Sequence, residues 1–316
     1  MTPKIHTVDV NYLGTPEAIA SYVIEGPEGP VMIETGPGSS TEGLTAGLAE
    51  IGLKPSDVKH TLVTHIHFDH AGASGWMARQ GAHVYVHENG YPHLIDPSRL
   101  LESAKRIYKD KMGYMWGELL PIPAEQLTAV RDGDVLNLGG LKITALGTPG
   151  HAGHHHCYKL QTDQGPVCFT GDCAGTYIAE SSFISVPLPP PELDLGLWMQ
   201  SIERLEAEKF VALYPTHFGR VDDPAEYFAR LKQRLSEDAE YVRDLMDEGL
   251  ETEDIRRRYT EWLVGMAEEA KVPESKMGFY ITDAMANMNV TGIMRYWTKL
   301  AEKAPPHVTR VPGSLT

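Results

Sequence analysis

Up to about residue 220 the chain alternates short apolar runs with turn residues, the pattern of a layered α/β fold. Ala18–Ile24 and Val31–Glu34 read as two strands of a hairpin, joined by the turn Gly26–Pro30. Thr41–Ile51 carries Leu44, Leu48 and Ile51 at helical spacing and stops at Gly52. His60–Thr64 is the next strand, Ala73–Gln80 a helix ended by Gly81, and Val84–Val86 another strand. Strands resume at Val135–Leu138, Ile143–Leu146, His155–Leu160 and Val167–Phe169. After the proline-rich loop Pro187–Pro191 come a helix at Leu193–Glu206 and a last buried strand at Phe210–Tyr214.

Two stretches break this rhythm. Residues 90–130 form an insertion in which Ser98 is the expected N-cap of a helix running to about Lys111. Tyr114, Met115 and Trp116 follow it, and they fit either a wall over a site or ordinary packing. After Asp222-Asp223-Pro224 the pattern becomes charged and helix-periodic to about Ala304, which predicts some three helices. The expected division is therefore a catalytic domain over 1–222 and a helical subdomain over 223–316, with loose order from Pro305 onward.

Charge and cysteine content narrow the function. A net charge of −15 over 316 residues disfavours nucleic acid as a partner. Cys157, Cys168 and Cys173 make no disulfide framework and fit a reducing compartment. The first ten residues hold no secretory h-region, and no run is apolar enough to span a membrane. The expectation is a cytoplasmic enzyme with a small-molecule substrate, no nucleic-acid or membrane partner, and a homodimer left open.

The chemistry is concentrated in His65-Ile66-His67-Phe68-Asp69-His70, just after an apolar strand. His151, Asp172 and His217 each stand at the end of a later strand-like run. Imidazole and carboxylate suit zinc, iron and manganese. Seven such groups are too many for one tetrahedral ion and about right for two ions sharing a bridge. His65 and His67, two apart in an extended loop, can face one ion, while Asp69 and His70 turn toward another.

Thr64–Gly72 (THIHFDHAG), Thr148–His151 (TPGH), Thr170–Asp172 (TGD) and Glu34-Thr35-Gly36 resemble the signature blocks of the metallo-β-lactamase-fold hydrolases, in their glyoxalase II and lactonase-like branch. Glu34 departs from the aspartate usual at that place. The resemblance implies a four-layer αββα sandwich with the C-terminal helical subdomain appended. It also implies one ion on His65, His67 and His151, a second on Asp69, His70 and His217, and Asp172 bridging the two.

The activity so implied is metal-dependent hydrolysis, with zinc the first choice and iron or manganese the others. Water activated between two ions attacks a small ester, thioester or lactone carbonyl, and Asp69 serves as catalytic acid and base. Tyr177 and His154 are candidate substrate contacts. Lys232, Arg234, Arg256, Arg257 and Arg258 are available to hold a glutathione carboxylate, although helical faces carry such charges anyway. The alternative is an oxidoreductase resembling persulfide dioxygenases, with one iron on His65, His151 and Asp172.

Overall fold

The computed structural model describes residues 3–179 and 181–303. Two six-stranded sheets form its centre. The first holds β1 (Ile5–Asp9), β2 (Ala20–Gly26), β3 (Gly29–Ile33), β4 (His60–Leu62), β5 (His83–His87) and β6 (Leu127–Val130), side by side in that order. The second runs β11 (Ile184–Ser185), β10 (Gly165–Tyr177), β9 (His156–Thr162), β8 (Leu141–Gly147), β7 (Val135–Leu138), and β12 (Ala212–His217) pairs in parallel with β10.

Strand period explains the layers. In β2 and β3, Tyr22, Ile24, Val31 and Ile33 point between the sheets, while Val23 and Met32 point outward. In β9, β10 and β12 the inward set is Tyr158, Leu160, Val167, Phe169, Ala212 and Tyr214; Cys157, Cys168 and Leu213 face the other way. Both faces of each sheet are thus apolar, and both need a helical cover.

On the first sheet that cover is α1 (Thr41–Glu50), with α2 (Phe68–Ala71) and α3 (Ser74–Arg79). The insertion contributes α4 (Tyr91–Ile95), α5 (Ser98–Tyr108) and α6 (Met112–Trp116), then returns as edge strand β6. Ser98 is not the cap of α5: Pro97 holds that position, and the Ser98 N–H donates instead to Asp96 Oδ1 at 3.1 Å. An aspartate two residues upstream competes successfully for the first free amide.

On the second sheet, α7 (Leu195–Ala207) packs with α8 (Pro224–Asp247), α9 (Thr252–Glu269), α10 (Glu274–Tyr280) and α11 (Asp283–Lys303). Trp198, Ile202, Tyr227, Leu231, Tyr259 and Ile293 share one apolar cluster with Cys157, Cys168 and Leu213 of the sheet. Helix α8 starts at Pro224, where the composition changes, and Asp223 caps it by accepting from Glu226 N at 3.0 Å. The expectation for the tail from Pro305 lies outside the described residues. Among the described residues no helix is long and apolar enough to cross a membrane.

Candidate metal centre

Four chain segments end at one edge of the paired sheets. The loop after β4 delivers His65 and His67, and α2 carries Asp69 and His70. Beyond β8, Thr148–His151 brings His151; an irregularity within β10 turns out Asp172; His217 closes β12. The irregularity centres on Gly171, at φ +50. A Cβ there would stand 2.5 Å from Thr64 Oγ1 and 2.6 Å from His155 Nε2, so only glycine lets β10 pass so close.

The seven side chains singled out in the sequence fall into two groups. In the first, His67 Nδ1 stands 2.8 Å from His65 Nε2 and 2.9 Å from His151 Nε2, and Asp172 Oδ2 is 3.2 Å from His151 Nε2. In the second, His217 Nε2 is 3.5 Å from Asp69 Oδ2 and His70 Nε2 is 3.8 Å from it. Asp172 Oδ1 faces this second group, 3.2 Å from His70 Nε2 and 3.4 Å from His217 Nε2.

The nitrogens turned away from the centre are also held. His151 Nδ1 donates to the Pro187 carbonyl at 2.9 Å and His217 Nδ1 to the Ala18 carbonyl at 2.8 Å. A carbonyl only accepts, so each Nδ1 carries a proton and each Nε2 is the nitrogen left to face the centre. His70 Nδ1 donates to Glu34 Oε1 at 3.1 Å. The Thr64 hydroxyl donates to the same carboxylate and so accepts from His65 Nδ1, 3.1 Å away. Glu34 itself is buried, at φ +66, and also receives Thr216 Oγ1 at 3.2 Å.

Electrostatics divide the centre. Against the effect of burial, the facing carboxylates of Asp172 and Asp69 push His70 well up and His217 up, which favours their charged forms. Burial and neighbouring imidazoles push His65 and His67 well down, which keeps both neutral with lone pairs available. Burial alone would raise Asp69 and Asp172. Facing imidazoles, His70 foremost, instead hold Asp172 well below the usual carboxylate range and Asp69 at about 2. His70 Nε2 and Asp172 Oδ1, both buried, face each other at 3.2 Å as an ion pair and have no other hydrogen-bond partner among the described residues. Crowded, preoriented imidazoles and carboxylates of this kind fit divalent ions, and their outer hydrogen bonds are those that orient metal ligands.

Glu34 was legible in the sequence only as a departure from a pattern; the structure makes it the hub that orients His70 and, through Thr64, His65. Replacing it by glutamine keeps the shape but turns an NH2 toward donors. Glu34→Gln is expected to weaken zinc binding about 10- to 100-fold, read by competition titration. Unchanged affinity would contradict this assignment.

The remaining histidines diverge in role. His154 lies at the rim of the first group, its ring 5.7 Å from that of His67, with Nε2 3.9 Å from Glu192; burial pushes it down to about 4. His155 is buried beside His65 and pairs with Thr148 Oγ1 at 2.8 Å. His156 is buried on the His87 ring, and neither of its nitrogens has a partner among the described residues. Tyr177 stands one residue past the Thr176–His217 pair, and its ring packs edge-on against Tyr227 at 5.9 Å.

Burial holds His156 at about 3, well below its ordinary 6.5. As pH falls below 6.5 the unfolded chain takes up a proton that the folded chain refuses, so stability drops until pH reaches the folded value. The slope is about 1.4 kcal/mol per pH unit. Between pH 6.5 and 5.5, where the unfolded group goes from half to mostly protonated, metal-free wild type should lose about 1 kcal/mol more stability than His156→Leu in urea denaturation. Equal losses would contradict it.

An aromatic group borders Asp69. Trp116 stacks on Tyr12 at 5.8 Å, tilts against Phe68 at 5.8 Å and meets Tyr108 edge-on at 5.2 Å. Phe68 sits between His67 and Asp69 in the chain, so this wall adjoins the second group. Of the insertion's other two candidates, Tyr114 is 70% exposed and Met115 contributes its carbonyl to Ser39 Oγ.

Fold and site together define a two-sheet α/β sandwich with a cluster of candidate metal ligands at one edge. The Metallo-beta-lactamase superfamily profile matches residues 14–217, and the chain belongs to that superfamily. It is 27% identical over 239 residues to the metallo-beta-lactamase fold-containing protein ST1585 of Sulfurisphaera tokodaii, covering 74% of this chain and 85% of that one. The solved structure of ST1585 aligns with a TM-score of 0.59. A metallo-beta-lactamase family protein of Thermus thermophilus, TTHA1429, aligns over 94% of both chains with a TM-score of 0.69 at 20% identity, a likeness of fold. An atrochrysone carboxyl ACP thioesterase of Aspergillus fumigatus is 31% identical over 192 residues, 59% of this chain and 46% of the fungal protein. The chain thus spans about half the length of the fungal relatives it matches.

Proposed function

We propose that this chain is a hydrolase that uses two divalent ions, zinc foremost, to cleave a small ester, thioester or lactone. The observation that carries this reading is the Asp172 carboxylate, which turns one oxygen to His65 and His151 and the other to His70 and His217. His65, His67 and His151 would hold one ion, Asp69, His70 and His217 the other, with Asp172 between them. When bound, such a pair lowers the pKa of a shared water and polarises a carbonyl.

The protein's residues supply the remaining steps. Asp69 keeps a quarter of its side chain (25%) open and is ionised at neutral pH. It can take a proton from water at the cleft mouth and return it to the leaving oxygen or sulfur. Trp116, Tyr12, Tyr108 and Phe68 shield that side from water and offer ring faces to an apolar acyl group. The buried Trp116 N–H has no partner among the described residues and can donate to a ligand oxygen. The helices from Pro224 onward brace the second sheet behind the cleft, as a subdomain would.

The fungal thioesterase supports a thioester as one substrate class without naming the acyl group. The basic residues of the C-terminal helices do not single out glutathione. Lys232, Arg256, Arg257 and Arg258 are each ion-paired to a glutamate or aspartate, and Arg234 is buried against Asp238. The test is a panel of acyl thioesters, aryl esters and lactones. Hydrolysis of one class, lost on chelation and restored by zinc, supports the proposal; inertness of zinc-loaded protein across the panel contradicts it.

A further inference from the structure

The carbonyl that orients His151 belongs to Pro187, in the extended segment between β11 and α7. Val186 and Leu188 both precede prolines, which biases them to extended backbone. In such backbone the Val186 carbonyl and the Leu188 N–H point to one side and the Pro187 carbonyl to the other. Pro187 has no N–H, so that carbonyl is its only backbone polar group.

The side away from His151 is held by one residue of α11. Asn289 Oδ1 accepts from Leu188 N at 2.9 Å, and its Nδ2 donates to the Val186 carbonyl at 2.9 Å. The two contacts bracket Pro187, and Asn289 is 2% exposed. Its Nδ2 also donates to Tyr259 Oη at 3.2 Å; that hydroxyl donates to Asp238, which Arg234 grips with two nitrogens. One turn further along α11, a Cβ on Gly292 would stand 1.9 Å from the Leu188 carbonyl, so the helix lies directly on this segment. Only glycine can sit this close.

We infer that Asn289 is a positioning residue for the metal centre: it clamps the backbone around Pro187 and so sets the direction of His151 Nε2. This rests on the reading of His151 as a metal ligand. The C-terminal helices then tune one half of the centre from more than a hundred positions away in sequence.

The test separates the two halves. Metal-free His217→Ala and His151→Ala proteins are titrated with zinc against a chromophoric chelator, each with and without Asn289→Ala. In the His217→Ala background, which keeps the His65/His67/His151 group, Asn289→Ala should raise the zinc Kd about tenfold or more. In the His151→Ala background it should change the Kd less than about twofold, because the ligand it positions is gone. A general loss of packing would shift both backgrounds alike, and that result, or no shift in either, overturns the inference. A His217→Ala parent that binds no zinc overturns the reading of the site, and the inference with it. Asn289→Asp keeps the contact to Leu188 N and loses the donor to Val186. It carries the same comparison should the alanine variant fail to fold.

Discussion

On the proposed function, Asp172→Asn is expected to lower kcat/KM by about a thousandfold on any substrate the panel of esters, thioesters and lactones identifies, and to lower the metal content. Several kcal/mol of transition-state charge stabilisation divided by about 1.4 kcal/mol per decade gives that figure. The reason is positional. Among the described residues no other carboxylate turns an oxygen to both groups of candidate ligands. An amide in its place removes the negative charge and leaves one oxygen where two faced the two groups. Steady-state kinetics and elemental analysis on the same sample check it. Wild-type rates with full metal would remove Asp172 from the mechanism.

Arg234→Met should cost about 3–5 kcal/mol of stability, since it strips the charge partner from a carboxylate with no access to water. Asp238 is wholly buried, and Arg234 Nε and Nη2 each meet it at 2.8 Å. The same guanidinium lies 4.6 Å over Trp262 and 5.3 Å over Phe183. Burial already raises the Asp238 pKa, with Arg234 and Tyr259 opposing; without Arg234 the group would fold only as the neutral acid or with a large penalty. The double variant Arg234→Met/Asp238→Leu should regain most of the loss, because neither charge then remains to be buried. Denaturant unfolding of the three proteins distinguishes the cases. A loss under about 1 kcal/mol in the single variant would mean the pair is solvated in solution.

The candidate site was legible because its candidate ligands either lie together in the chain or follow an apolar, strand-like run. HIHFDH needs no tertiary knowledge, and His151, Asp172 and His217 each follow an apolar run that can only be a buried strand. The supporting layer was not legible, because it is made of distant backbone and of residues with no chemical signature. The carbonyl of Ala18 orients His217 from 199 positions away, and Asn289 reaches Leu188 from 101. Glu34 drew notice as a departure; its links to Thr64, His70 and Thr216 exist only once β3, β4 and β12 are side by side. Short edge strands such as β6 and β11 escaped for another reason. Four residues and two residues are too few to display a period of two.

The central claim is a centre of two ions joined through Asp172, and the metal content of the purified protein tests it most directly. Protein grown without metal supplements should carry about two divalent ions per chain by elemental analysis, zinc foremost, and His217→Ala should carry about one. One iron per chain in both proteins would contradict the account. It would leave His65, His151 and Asp172 as a mononuclear site and point to oxygen chemistry in place of hydrolysis.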